Sequence, residues 1–255
     1  MSSASAPRES AVGRAIDLLR NPVGARATTA GYLDTLPSQR AAPRGLARRA
    51  MHAGPLPLIY EAAWRPVLFT AFTGRTTAQE ERLMLDGLRP CVGDTALDIA
   101  CGPGNTTRRL AGTVGHEGLV IGLDYAEGML ARAVRDTAQG NVAYLRGDAE
   151  QLPLLDCTVD LVSCFGALYM FADPGAAIEE MVRVLRPGGR IALLTTCGRG
   201  PGAARAIVRA GQRLSGLEIF EPDAITSQLR ALGVVRLQQH VRAFSQLVIG
   251  ELPAA

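Results

Sequence analysis

Asp98-Ile99-Ala100-Cys101-Gly102-Pro103-Gly104-Asn105 is the stretch on which the fold turns. The apolar run Ala96 to Ala100 reads as a strand that carries an acid near its end; two glycines follow, and a helical stretch opens at Asn105. Glycine adopts backbone conformations closed to other residues and lets main chain approach a ligand closely. A Gly-rich turn from strand to helix is therefore the form of a nucleotide-type site in an α/β protein.

Outward from this turn, short β-rich runs alternate with helical stretches. The strands read as Ala96 to Ala100, Leu119 to Leu123, Val142 to Arg146, Leu161 to Cys164 and Arg190 to Thr195. Between them lie helices at Asn105 to Thr113, Ala126 to Ala138 and Pro174 to Leu185, the last stopped by Arg186-Pro187-Gly188-Gly189. That alternation predicts a doubly wound α/β fold with a parallel sheet.

Taken alone, the turn suits nicotinamide, flavin or S-adenosylmethionine cofactors, or is merely a tight turn. Acids at the ends of three successive strands narrow the choice. Asp124, in Gly122-Leu123-Asp124-Tyr125, stands twenty residues beyond Gly104, where a carboxylate accepts both ribose hydroxyls. NAD enzymes share that acid. Asp98 discriminates better, because a carboxylate there repels a pyrophosphate and attracts the ammonium of a methionine moiety, directly or through water. Thr107 also occupies the place of the third dinucleotide glycine. Asp148, in Gly147-Asp148-Ala149-Glu150-Gln151-Leu152-Pro153, is placed to accept from an adenine amino group while the Ala149 backbone meets the ring edge; the alternative is a solvated turn.

Composition bounds the rest. A chain of 255 residues, 47% hydrophobic, accommodates one catalytic domain with an appendage. We place the appendage at residues 1–90, with the first ten disordered, short helices at Ala11 to Arg20, Leu58 to Phe72 and Thr77 to Leu88, and prolines between; residues 91–255 form the cofactor-binding domain. No apolar run reaches the roughly 18 residues of a membrane-spanning helix. All 27 basic residues are Arg, and eight of them precede residue 56 against three acids. This basic flank is open to peripheral contact with anionic lipid but lacks the dense basic and aromatic runs of a nucleic-acid binder. Cys91, Cys101, Cys157, Cys164 and Cys197 have neither C-x-x-C spacing nor companion histidines, which points to reduced thiols, a cytoplasmic setting and no metal centre.

As a set, Leu97 to Gly104, Asp124, Gly147 to Pro153, Val159-Asp160-Leu161-Val162 and Glu180 to Gly189 resemble the class I S-adenosylmethionine-dependent methyltransferases, in particular the ubiquinone and menaquinone C-methyltransferase group. The resemblance spans Ala96 to Leu193. It implies a Rossmann-like, seven-stranded, mostly parallel sheet with an antiparallel last strand, Val234 to Val241 and Ser245 to Ile249 forming the closing hairpin. It implies S-adenosyl-L-methionine as cofactor, bound by Asp98, Ala100, Gly102, Gly104, Asp124, Tyr125, Met129, Asp148, Ala149 and Cys164, with Tyr60 either covering the cofactor or packing in the core. Many relatives have Leu-His-His after the fourth strand; this chain has Leu168-Tyr169-Met170, so Tyr169 is the one catalytic candidate there, contacting substrate or supplying a phenol, with a structural aromatic as the alternative. Leu58, Ile59, Trp64, Val67, Leu68, Phe69 and Phe72, with Phe165 to Phe171 and Gly198 to Phe220, suggest an apolar acceptor pocket for a small molecule. Two other functions stay open: a catalytically silent cofactor-binding partner or regulatory protein, and an NAD-dependent Rossmann oxidoreductase.

Overall fold

All five residues of Thr95–Ile99, the strand entering the glycine turn, are buried, as expected for a parallel strand covered on both faces. The computed structural model describes residues 10–36, 73–198 and 218–254. Along them run α1 (Ala11–Asp17), β1 (Arg26–Ala27), β2 (Leu33–Asp34), α2 (Thr77–Leu88), β3 (Thr95–Ile99), α3 (Asn105–Val114), β4 (Leu119–Asp124), α4 (Glu127–Asp136) and β5 (Val142–Arg146). There follow β6 (Val159–Phe165), α5 (Pro174–Val184), β7 (Leu185–Thr196), α6 (Ala224–Ala231), β8 (Val235–Arg242) and β9 (Ser245–Glu251).

The sheet order is β1-β2-β5-β4-β3-β6-β7-β9-β8. Strands β2, β5, β4, β3, β6 and β7 are parallel neighbours, and β9 runs antiparallel between β7 and β8. Seven of these strands are the expected ones. Short β1 and β2 raise the count to nine, extending the edge beyond β5 with residues that sequence patterning assigned to a helical appendage. Two-residue strands carry too little periodicity to register in a sequence, and only pairing, with Leu145 and Arg146 on one side and with Ala27 and Arg26 on the other, defines β2.

Alternation along the strands sorts the core into two layers. Leu97, Ile99, Val162, Leu193 and Val248 pack with Ala15 of α1, Ile178 and Met181 of α5, and Leu229 of α6. Ala96, Val120, Leu161, Ala192 and Leu247 meet Met84 and Leu88 of α2 and Leu110 and Val114 of α3. Helix α2 starts as a capping box, the Thr76 hydroxyl accepting from the Gln79 amide while the Gln79 side chain accepts from the Thr76 amide.

Two expected boundaries move for identifiable reasons. Helix α1 stops at Asp17, short of Arg20, because Leu18 to Arg20 pair with the segment at 153–155: the Arg20 amide donates to Pro153 O at 2.8 Å and the Leu155 amide to Leu18 O at 2.9 Å. The Arg186-Pro187-Gly188-Gly189 breaker ends α5 but does not delay the next strand. Register passes from Val159 opposite Leu185 to Leu161 opposite Arg190, so the four breaker residues bulge out of β7. Arg186 is tied there by two bonds to Asp160, at 2.9 and 3.0 Å. Helix α6 adds to the helices expected from the sequence. The segment 58–72, Tyr60 included, and most of 198–220 lie outside the described residues.

Among the described residues no helix is long and apolar enough to cross a membrane.

Candidate functional site

Four adjacent parallel strands deliver the predicted residues to one rim. Asp148 and Ala149 follow β5, Asp124 ends β4, Asp98 is the penultimate residue of β3 with Ala100 to Gly104 following that strand, and Cys164 is near the end of β6. The chain order reverses at β3, which has β4 on one side and β6 on the other. Such a switch point, at the carboxyl ends of the strands, is where open α/β sheets bind ligands.

The turn after β3 alternates in hand: Ala100, Gly102 and Gly104 have φ of 53°, 54° and 78°. Ala100 holds a conformation that costs a non-glycine residue about 1–2 kcal/mol, so its surroundings must enforce it. The two glycines are there for different reasons. At Gly102 a Cβ would meet no heavy atom within 4 Å, so that side of the turn opens onto space. At Gly104 a Cβ would collide with the phenol oxygen of Tyr144 and crowd Ala133.

Asp124 ties the turn to its neighbour strand. Its Oδ2 accepts from the Gly102 amide and its Oδ1 from the Ala126 amide, each at 2.8 Å. Asp98 is deeper, 1% exposed, and both of its oxygens are engaged. Oδ2 accepts from the Thr107 hydroxyl at 2.6 Å and Oδ1 from the Ser163 hydroxyl at 2.8 Å. Burial pushes the Asp98 carboxyl up to about 6, against the two hydroxyl bonds that lower it, with the charges of Asp124 and Glu81 adding to the rise. Thr107, noted in the sequence only as a missing glycine, is thus a partner of the key acid. Ser163 escaped notice altogether, although a polar residue inside the apolar run Leu161 to Phe165 was a signal for it.

The acidic turn after β5 is also built. Asp148 Oδ1 accepts from the Glu150 amide at 3.0 Å, and Glu150 in turn accepts from the amides of Ala172 and Asp173, at 2.6 and 3.1 Å. The turn is thereby fastened to the loop that follows β6. Ala149 and, at the first turn of α4, Met129 are buried, while Tyr125 is half-buried. The side chain of Cys164 lies fully in the core, and burial raises its thiol and that of Cys101, keeping both neutral. Tyr169 stands on a single 3₁₀ turn, Leu168–Met170, half-buried and packed on the main core. Among the described residues no three potential metal ligands cluster.

Comparison with known proteins bears on this rim directly. The family model described as "methyltransferase domain" matches residues 97–193, the stretch from β3 through most of β7 that carries Asp98, Asp124 and Asp148. Residues 97–193 are a methyltransferase domain. The family and the fold imply S-adenosylmethionine as its cofactor.

Curated relatives of the methyltransferase domain include demethylmenaquinone methyltransferases. That of Shouchella clausii is 40% identical over 107 residues, 41% of this chain and 46% of that protein. That of Bacillus cereus is 36% identical over 121 residues, 46% and 50% of the two chains. An uncharacterized 37.1 kDa protein in transposon TN4556 of Streptomyces fradiae is 40% identical over 112 residues, 44% and 32% of the two. The chain therefore spans half or less of the length of these relatives. A solved S-adenosylmethionine-dependent methyltransferase of Aquifex aeolicus shares the fold at 20% identity and a TM-score of 0.58, covering 78% of this chain and 99% of that one. So does the [4+2]-cyclase SpnF, at 19% identity and the same TM-score of 0.58, covering 69% and 81%. The fold thus hosts more than one chemistry, and the site has to carry the functional argument.

Proposed function

We propose that the chain transfers a methyl group from S-adenosylmethionine to a small, hydrophobic or lipid-like acceptor by in-line displacement. The arrangement of Asp98 and Asp124 supports this reading most. Asp98 is buried beneath the turn, and the Gly102 amide is given to a carboxylate instead of being offered to an anion. Two carboxylates at one glycine turn disfavour pyrophosphate and favour an ammonium group, which argues against a dinucleotide.

The residues present fit such a cofactor. Gly102 leaves a cradle that a Cβ would occupy, Asp98 would hold the ammonium directly or through water, and Asp124 would take the ribose hydroxyls. Asp148 and the Ala149 backbone would meet the adenine edge, with Tyr125 and Met129 lining the adenosine side. When bound, the cofactor supplies an electrophilic methyl carbon on a sulfonium sulfur. The chain's own task is to fix both ends of that molecule so that methyl and acceptor are collinear, and to exclude water. No histidine stands in the segment between β6 and α5, so an acceptor that attacks as an enolate, phenolate or neutral amine suits this site better than an aliphatic alcohol. Tyr169 we assign to the wall of the acceptor site, with the half-buried Met170 and Phe171 next to it in the chain and packed on the same core. That wall is apolar, which supports a hydrophobic acceptor. Demethylmenaquinone, carried in the names of two relatives, is the first to test.

Calorimetric titration with S-adenosylmethionine, S-adenosylhomocysteine and NAD checks the cofactor. Binding of the first two and not the third is expected, with an Asp124→Ala variant weakened by about 50-fold or more through loss of charged hydrogen bonds. Tight NAD binding without the sulfonium pair overturns the reading. Formation of S-adenosylhomocysteine with an acceptor then separates an enzyme from a silent cofactor-binding partner.

A further inference from the structure

The two short strands beyond β5 are additions to the expected sheet, and they lock an arginine that sequence reasoning passed over. Register sets Asp34 of β2, Arg146 of β5 and Asp124 of β4 abreast on three neighbouring parallel strands. The Arg146 guanidinium reaches both ways. Its Nη1 lies 3.3 Å from Asp34 Oδ2 and 2.9 Å from Glu127 Oε1, and its Nε donates to Tyr125 O at 3.3 Å. The same group stands over the Tyr125 ring, 5.8 Å from its centre.

The extension holds this arginine by main chain as well. Thr35 donates twice to Arg146 O, from its amide at 3.0 Å and from its hydroxyl at 2.7 Å. Asp34 is itself set by the Leu36 amide at 3.0 Å and by Arg26 at 3.1 Å. Only 13% of the Asp34 side chain and 22% of the Arg146 side chain are exposed, so solvent screens this pair less than a surface ion pair. Directly after Arg146 comes the acidic turn at Gly147, whose amide donates to Asp124 O at 3.1 Å. Tyr32, between β1 and β2, packs with Cys101 and Tyr144 close to the glycine turn.

We infer that Arg146 is a positioning residue for the adenosine half of the cofactor, fixed by Asp34 and Thr35 and acting through Tyr125, Asp124 and the turn at Gly147. The inference rests on the cofactor reading given above. It makes the N-terminal extension part of the binding site without contact between the extension and the ligand.

The test uses the full chain and two ligands, S-adenosylhomocysteine and 5′-methylthioadenosine, which keeps the adenosine and lacks the amino-acid end. Asp34→Asn and Arg146→Lys are expected to weaken both ligands by the same factor, about tenfold, because a lysine cannot make the forked contacts of a guanidinium. Melting temperatures are expected to stay near wild type. The double variant Asp34→Asn, Tyr125→Leu should bind no worse than Tyr125→Leu alone, since both act through one contact. Unchanged affinities in the two single variants, or strictly additive losses in the double, overturn the inference. Wild-type protein that binds neither ligand overturns the cofactor reading and the inference together.

Discussion

An Asp98→Asn variant is expected to bind S-adenosylmethionine about 100-fold more weakly than wild type while folding normally, because it removes the one buried negative charge under the turn and keeps its shape. The amide still meets Thr107 and Ser163, whose hydroxyls can turn to donate or accept. Stability should respond in an unusual direction. Most perturbed carboxylates here, such as Glu180 with Arg183, are held below their ordinary value and favour the fold as pH rises. Asp98 is raised from 3.8 to about 6, so the folded state binds more protons than the unfolded one between those values. Its contribution is present below pH 4 and is lost as pH rises through about 6, a change of about 3 kcal/mol. Denaturant unfolding of both proteins from pH 4 to pH 7 isolates this: the variant should gain on wild type by about that amount. The groups that act on Asp98 among the described residues include Thr107, Ser163, Asp124 and Glu81, the buried thiols of Cys101 and Cys164 and the Tyr144 phenol feel its charge in turn, and Glu81 pairs with Arg109 at 2.7 Å. Because a bound ammonium favours the ionised acid, wild-type affinity should fall below pH 6 and that of the variant should not. Parallel pH profiles for the two proteins would dismiss the role given to Asp98.

Gly104→Ala is expected to destabilise the fold by about 3 kcal/mol or more. Its φ of 78° alone costs an alanine about 1–2 kcal/mol. The new methyl also runs into the Tyr144 phenol, which is fixed by a 2.8 Å bond to Thr137 Oγ1. Adding Tyr144→Phe removes the obstructing oxygen and should restore part of the loss. Gly102→Ala, with φ of 54° and open space at its Cβ, should cost only the backbone share and act on cofactor affinity instead. Urea midpoints of the four proteins check this, and equal losses at 102 and 104 would refute it.

The acids of the rim were legible because each is local to a strand end: Asp98 stands near the end of its β-rich run, and Asp124 and Asp148 come at or just after the ends of theirs, at spacings that a parallel sheet converts into proximity. Their partners were not. Thr107 and Ser163 are nine and 65 positions from Asp98 and meet it only because α3 starts beneath β3 while β6 lies beside it. Arg146 had no sequence signal, since its importance depends on which residue stands opposite on each neighbouring strand.

Sequence alone determined the alternation of strands and helices, the glycine turn and the order of acids, because these follow from side-chain periodicity and from the backbone freedom of glycine, both short-range properties. The ends of α2 and β5, Thr77 to Leu88 and Val142 to Arg146, came out as read. Tertiary structure decided the rest. It recruited residues 26–27 and 33–34 into the sheet, turned the Pro-Gly breaker into a bulge of β7, and buried Asp98 between two hydroxyls. Each of these depends on strand register and on what is packed above a residue. Such contacts join positions tens of residues apart, and no local pattern encodes them.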